Sequence, residues 1–214
     1  MTESKSTPPI IVWFRRDLRV ADNPALAAAA ERGVPVLPLF ILDERDLPGE
    51  ASAWWLHGSL SGLSEALGKR GANLVLRRGK PEEELPALVR ETGAKSVFWN
   101  RCYEPTVTER DKSLKSSLAK AGIETRSFAA SLLAEPWQVK TKTGDPYKVF
   151  TPFWKALCAS APFGAPLAPM RKLEGGCDPV SDELDDWHLR PSSPDWAGGI
   201  KARMNACVIS SKTR

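Results

Sequence analysis

The stretch that most restricts the fold is Ile10-Ile11-Val12-Trp13-Phe14, which breaks at once into Arg15-Arg16-Asp17-Leu18-Arg19. The apolar half is too short for a membrane span and too continuous for a strand with one wet face. It predicts a strand buried on both faces, as at the centre of a parallel sheet. The charged half then falls at the strand's carboxyl end, where open α/β sheets place their ligands. A helix is expected next. Asp22 or Asn23 can cap it, Pro24 suits its first turn, and residues 25–30 are good helix formers.

The same organisation recurs down the chain. Helical segments end at Gly33, Gly71, Gly93 and Gly122, and short apolar runs follow at 34–42, 74–76, 97–99 and 123–128. Glycine just past a helix takes the left-handed cap conformation at little cost. Strands alternating with helices of this length give right-handed βαβ units and a parallel sheet. Leu56, Leu60, Leu63 and Leu67 share one helix face, with His57, Ser61, Ser64 and Glu65 expected mostly on the other. Leu85, Leu88 and Val89 mark a helix opened by Pro81 and three glutamates, and Val107, Leu114 and Leu118 mark another. The expected fold is α/β, Rossmann-like: a five-stranded parallel sheet over residues 10–128 with helices on both faces. Pro38 sits inside the second apolar run and removes a ladder hydrogen bond, so this strand is expected to begin there or to bulge.

After residue 128 the pattern changes. Residues 129–160 read as a loop, with a turn at Thr143-Gly144-Asp145-Pro146, and an exit helix opened by Thr151-Pro152. Residues 161–199 hold many of the 18 prolines and read as an extended interdomain linker with a short helix near 182–187. Residues 200–214 form a patternless tail. With 214 residues, 42% hydrophobic and 26% charged, one domain with a real core is expected. No apolar run approaches the roughly 20 residues of a membrane helix, and no signal peptide opens the chain. Cys102, Cys158, Cys177 and Cys207 have no short paired spacing, which argues against disulfides and zinc and fits a reducing cytoplasm. The net charge of +4 permits nucleic-acid contact without arguing for it.

Chemistry-bearing motifs are sparse. No Gly-x-Gly-x-x-Gly follows the first strand, which disfavours a dinucleotide-type dehydrogenase site. Residues 62–70 resemble a P-loop, but the spacing is one residue too long and Arg70 replaces the Ser/Thr. His57 and His188 fit no metal or triad pattern and are expected at the surface or in the linker. Trp54-Trp55 and the cluster Tyr147, Phe150, Phe153 and Trp154 are expected to be packing residues.

Three stretches carry a resemblance to the DNA photolyase/cryptochrome family. They are 13–19 with Asp22-Asn23-Pro24-Ala25-Leu26, then 98–105 through Glu109-Arg110-Asp111, and 144–155. The order matches from about residue 10 to about 199. The chain resembles the N-terminal domain of a photolyase, most of all the bacterial cyclobutane pyrimidine dimer enzymes. The resemblance implies an α/β domain that holds a light-harvesting chromophore near its strands' carboxyl ends. In the full-length family a helical domain follows, which binds FAD, takes the flipped pyrimidine dimer from DNA and splits it in light. On this chain alone FAD and repair activity are not expected, and neither metal nor membrane is implied. Asp195-Trp196-Ala197-Gly198-Gly199 resembles the family's continuation, but Ile200 to Arg214 does not, and a frameshift or premature stop is the expected origin.

The resemblance also bears on the chromophore. Folate-binding members carry Asn-Glu where this chain has Thr106-Val107, deazaflavin-binding members carry an acid where it has Cys102, and many carry arginine where it has Ala53. Each difference removes a charge-assisted hydrogen bond, worth about 1.5–3 kcal/mol. A folate is therefore disfavoured and a deazaflavin weakened, and an antenna flavin or no antenna at all remains open. Trp13, Arg15, Phe40, Asp43, Arg101 and Glu104 are the candidate cofactor-binding residues, and no catalytic residue is assigned. The rival reading is a stand-alone nucleotide- or flavin-binding module that acts by binding or docking.

Overall fold

The computed structural model describes residues 7–46, 49–160 and 164–190. Five strands, β1 (Ile10–Phe14), β2 (Val36–Leu42), β3 (Val75–Arg78), β4 (Ser96–Asn100) and β5 (Glu124–Phe128), form one sheet in the order β3-β2-β1-β4-β5. Every pairing is parallel. The helices are α1 (Pro24–Ala30), α2 (Glu50–Gly68), α3 (Pro81–Thr92), α4 (Pro105–Lys120) and α5 (Phe150–Ser160). This is the expected α/β architecture. Strand alternation sends successive side chains to opposite faces. Ile10, Val12 and Phe14 meet α1 and α2, while Ile11 and Trp13 meet α3 and α4. Asn23, not Asp22, caps α1 by accepting the Leu26 N–H at 3.1 Å, and its replacement by Ala would cost at least about 1 kcal/mol. Gly93 ends α3 at φ +67, the left-handed conformation its position past the helix requires.

Pro38 neither starts β2 nor bulges it. The strand begins at Val36, and its register with β1 is unbroken from Ile10↔Val36 to Phe14↔Phe40. The physical reason is local. Val36 N–H points away from β1 and donates to the Glu174 carbonyl at 2.8 Å. By two-residue alternation the Pro38 nitrogen faces the same side, where β3 has not yet begun, because pairing starts at Leu39↔Val75. No ladder bond is lost.

The segment 164–190 is extended, with a short 3-10 turn at Leu184–Trp187, but it does not hang free. Leu173, Trp187 and Leu189 are buried in the core beside α1 and α2. Leu173 N–H donates to Arg70 O at 2.7 Å, and Asp182 N–H donates to Leu76 O at 2.8 Å. The expected linker is thus a strap along the β2–β3 side of the sheet. The 195–199 stretch and the 200–214 tail lie outside the described residues.

His57 corrects its surface assignment. It is buried on α2 in line with Ala53 and Leu60, and its Nε2 lies 2.9 Å from Asp185 Oδ1 on the strap. Trp55, Phe150 and Trp154 correct theirs, whereas Trp54, Tyr147 and Phe153 are half-buried. Trp55 is 58% exposed, Phe150 is 70% exposed and Trp154 is 43% exposed, so these rings are not core. Within α5 only Leu157 is buried. Among the described residues no helix is long and apolar enough to cross a membrane, and no group of three or more His, Cys, Asp or Glu is placed to hold a metal ion.

Candidate chromophore cleft

The strand order reverses direction beside β1: β2 and β3 lie on one side of it, β4 and β5 on the other. Open α/β sheets leave a crevice outside the carboxyl ends of the strands at such a switch point. Here that crevice is a cleft of about 670 Å³. Its floor comes from the ends of β1 and β2, with Trp13, Phe40 and Ile41, and its walls come from the first half of α2 and the start of α4. The volume lies within the range of about 300–1,000 Å³ that suits small-molecule and cofactor sites.

Trp13 is buried and meets Trp99 edge-on, with ring centroids 6.0 Å apart. Two guanidinium groups lie over the Trp13 ring, Arg15 at 4.8 Å and Arg110 at 5.6 Å from its centroid. Arg15 is held from the far side. Its Nη1 donates to both Asp111 oxygens, at 3.0 and 2.8 Å, and its Nη2 donates to the Asn100 carbonyl. This ion pair is buried, so removing Asp111 would strand a charge at a cost of about 3–5 kcal/mol.

A polar network fixes the turn that delivers Arg15. Asp17 is buried and accepts the Arg15 backbone N–H at 2.9 Å. Asn100 Nδ2 donates to Asp17 at 2.5 Å and to Asn23 Oδ1 at 2.8 Å, while Asn100 Oδ1 accepts the Ala25 N–H at 3.1 Å. One amide at the end of β4 therefore ties the β1–α1 turn to the start of α1. Buried polar groups satisfied in this way rigidify the element they join.

Asp43 stands at the end of β2 and is nearly covered. It accepts from Arg45 Nε at 2.9 Å and from Arg110 Nη1 at 3.3 Å. Burial pushes its carboxyl pKa up, but the Arg45 and Arg110 contacts outweigh burial and hold it below the usual carboxylate value. The Cys102 thiol, also on the cleft, is pushed up by burial despite the nearby Arg15 charge, which keeps it a thiol at neutral pH.

Four of the six expected site residues, Trp13, Arg15, Phe40 and Asp43, line this one cleft. The other two face elsewhere. Arg101 donates to Glu135 Oε1 and to the Ser127 carbonyl, fastening the 129–138 loop to the β4–β5 edge. Glu104 is exposed just ahead of α4 and pairs with Arg16, which does line the cleft. Sequence reasoning missed Trp55 and Arg110. The signal for Trp55 was present: Ser52, Trp55 and Ser59 recur at three and four residues, giving α2 a mixed second face beside its leucine stripe. Arg110 had no comparable local signal, because its partners Asp43 and Asp46 lie more than sixty residues away in sequence.

The family model described as DNA photolyase matches residues 10–172. A deoxyribodipyrimidine photo-lyase of Agrobacterium fabrum is 48% identical over 196 residues, covering 91% of this chain and 41% of that protein. Cryptochrome-1 of Arabidopsis thaliana is 40% identical over 211 residues, covering 90% of this chain and 31% of that protein. The crystal structure of a bacterial class III photolyase from Agrobacterium tumefaciens superposes with a TM-score of 0.86 at 48% identity, over 92% of this chain and 41% of that one. The chain spans less than half the length of these relatives.

Proposed function

Because the chain belongs to the DNA photolyase family, we propose that its cleft holds a light-harvesting antenna chromophore, a flavin first and a deazaflavin second. The observation that carries this reading is the composition of the cleft: flat aromatic surface at Trp13, Phe40 and Trp55, interrupted by the charged groups of Arg15, Arg16, Arg110 and Asp43, all at the switch point of the sheet. Such a site suits a flat heteroaromatic ring with polar edges. Val107 gives the wall only hydrocarbon where folate-binding members carry a carboxylate, which places folate last. A bound chromophore would supply absorption of light. The chain's own part is to stack the ring against Trp55, offer Arg110 and Arg16 as donors to its polar edge, and keep water off the buried Trp13 floor. Arg101 and Glu104 contribute from outside the cleft, through the 129–138 loop and Arg16.

The binding unit on this reading is 10–128 with the loop and exit helix of 129–160. The 161–199 stretch connects it onward. FAD-dependent splitting of pyrimidine dimers in DNA belongs to the portion of the relatives that this chain does not match. The free thiols of Cys102, Cys158 and Cys177 suit a reducing cytoplasm.

The test is equilibrium dialysis of the 214-residue chain against FMN, FAD, a deazaflavin and methenyl-tetrahydrofolate, with absorption spectra of the retained ligand. FMN or the deazaflavin should be retained and should quench tryptophan fluorescence. Trp55→Ala, at an exposed wall position, should weaken binding about three- to tenfold with little loss of stability. Retention of folate alone would change the chromophore while leaving the cleft in place. Retention of nothing would remove the antenna reading.

A further inference from the structure

We infer that Trp187 is a positioning residue for the chromophore cleft, and that the strap around it buttresses that site from behind rather than serving as a spacer. This rests on the cleft reading above. Phe40 has two neighbourhoods: it lines the cleft, and its ring lies 6.1 Å from the buried Trp187 ring on the strap. Trp187 is itself fixed, since its indole N–H donates to Asp182 Oδ2 at 3.1 Å.

Two of the strap's clasps belong to different sides of the cleft. Toward the sheet, Leu76 of β3 donates its N–H to Ser181 Oγ at 3.0 Å and accepts the Asp182 N–H at 2.8 Å. β3 in turn pairs with the Leu39–Leu42 end of β2, which forms the cleft floor. Toward the helix, Asp185 meets His57 at 2.9 Å. His57 sits on α2 among the cleft-lining residues Trp55, Leu56 and Ser59. The cleft opens between β2 and α2, and the strap ties those two elements together from behind. Losing Trp187 lets Phe40 relax backward and lets the gap between sheet and helix vary. Coupling of this kind is reciprocal: a ligand that fixes the gap must also tighten the strap.

The experiment uses the full chain with FMN as probe. Trp187→Ala should weaken FMN binding about tenfold, and Trp187→Phe should restore it to within about twofold of the parent. FMN should also slow amide exchange at Asp182, Asp186 and His188 of the strap in the parent and not in Trp187→Ala, a response that general destabilisation would not produce. A second readout needs no ligand. With Cys158, Cys177 and Cys207 changed to Ser, the rate at which a small thiol reagent labels Cys102 reports the cleft directly. It should rise about fivefold in Trp187→Ala and stay unchanged in Trp187→Phe. If Trp187→Ala does not fold, Asp185→Ala opens the clasp from an exposed position and should move both readouts in the same direction. Unchanged FMN affinity and unchanged Cys102 labelling in a folded variant overturn the inference. If the parent binds no FMN, the flavin form of the antenna reading fails by itself, and the labelling rate alone decides the role of Trp187.

Discussion

Asp43 shows how a single carboxylate can hold a site together and leave a signature in pH. Burial alone would raise its pKa, yet hydrogen bonds and charge from Arg45 and Arg110 keep it below 3.8, the ordinary value for an aspartate. A carboxyl whose folded pKa is depressed contributes stability that is fully present above the unfolded pKa. That contribution is lost as pH falls through the folded value. Asp43→Asn removes it at every pH. In urea melts between pH 7 and pH 3, the parent should exceed Asp43→Asn in stability by a constant amount down to about pH 4, and the gap should narrow below that. A gap that does not depend on pH would mean that the contact works by shape, not charge. Arg110 loses its closest carboxylate partner in the same variant, so cleft affinity should fall with stability at neutral pH.

At the scale of elements, what could be read in the sequence was whatever repeats locally. The strands and helices of 10–128 follow from apolar periodicity and glycine stops, and the structure places all five strands and four covering helices there. What could not be read was whatever the strap decides. His57 lies at a polar position by composition, yet it is buried, and its partner Asp185 stands 128 residues later. Pro38 is tolerated because its nitrogen faces the side where β3 has not yet begun, a start set some forty residues later in the sequence. The cleft was half legible for the same reason: the β1 end of its floor was marked by the opening motif, while Arg110 depends on partners distant in sequence.

The strap's route is fixed by the backbone at one crossing, where Gly175 passes Gly71 so closely that a Cβ on Gly175 would run into the Gly71 carbonyl oxygen. The obstacle is backbone, not a movable side chain. Gly175→Ala should therefore cost about 1–3 kcal/mol and lift the strap locally. Amide exchange should accelerate at Leu173 and Val36, whose N–H groups donate across this crossing, and should be unchanged in β4.

The molecule as a whole presents two unlike surfaces. The four helices cover both faces of the sheet, whereas α5 turns Phe150 and Trp154 outward. These rings stack with centroids 6.2 Å apart, and the neighbouring Val149 is exposed as well. Contiguous apolar surface of this kind marks an interaction face or an aggregation liability. In the isolated chain the face should drive self-association. Sedimentation velocity over a hundredfold concentration range should show s-values rising with concentration, and Phe150→Ser with Trp154→Ser should flatten that rise. Both rings are exposed, so the double change should alter unfolding free energy by only about 0.5 kcal/mol. A large loss of stability would mean that α5 belongs to the core of the domain. An undiminished rise would place self-association on the other exposed apolar residues, with Leu133 and Val180 the first to change.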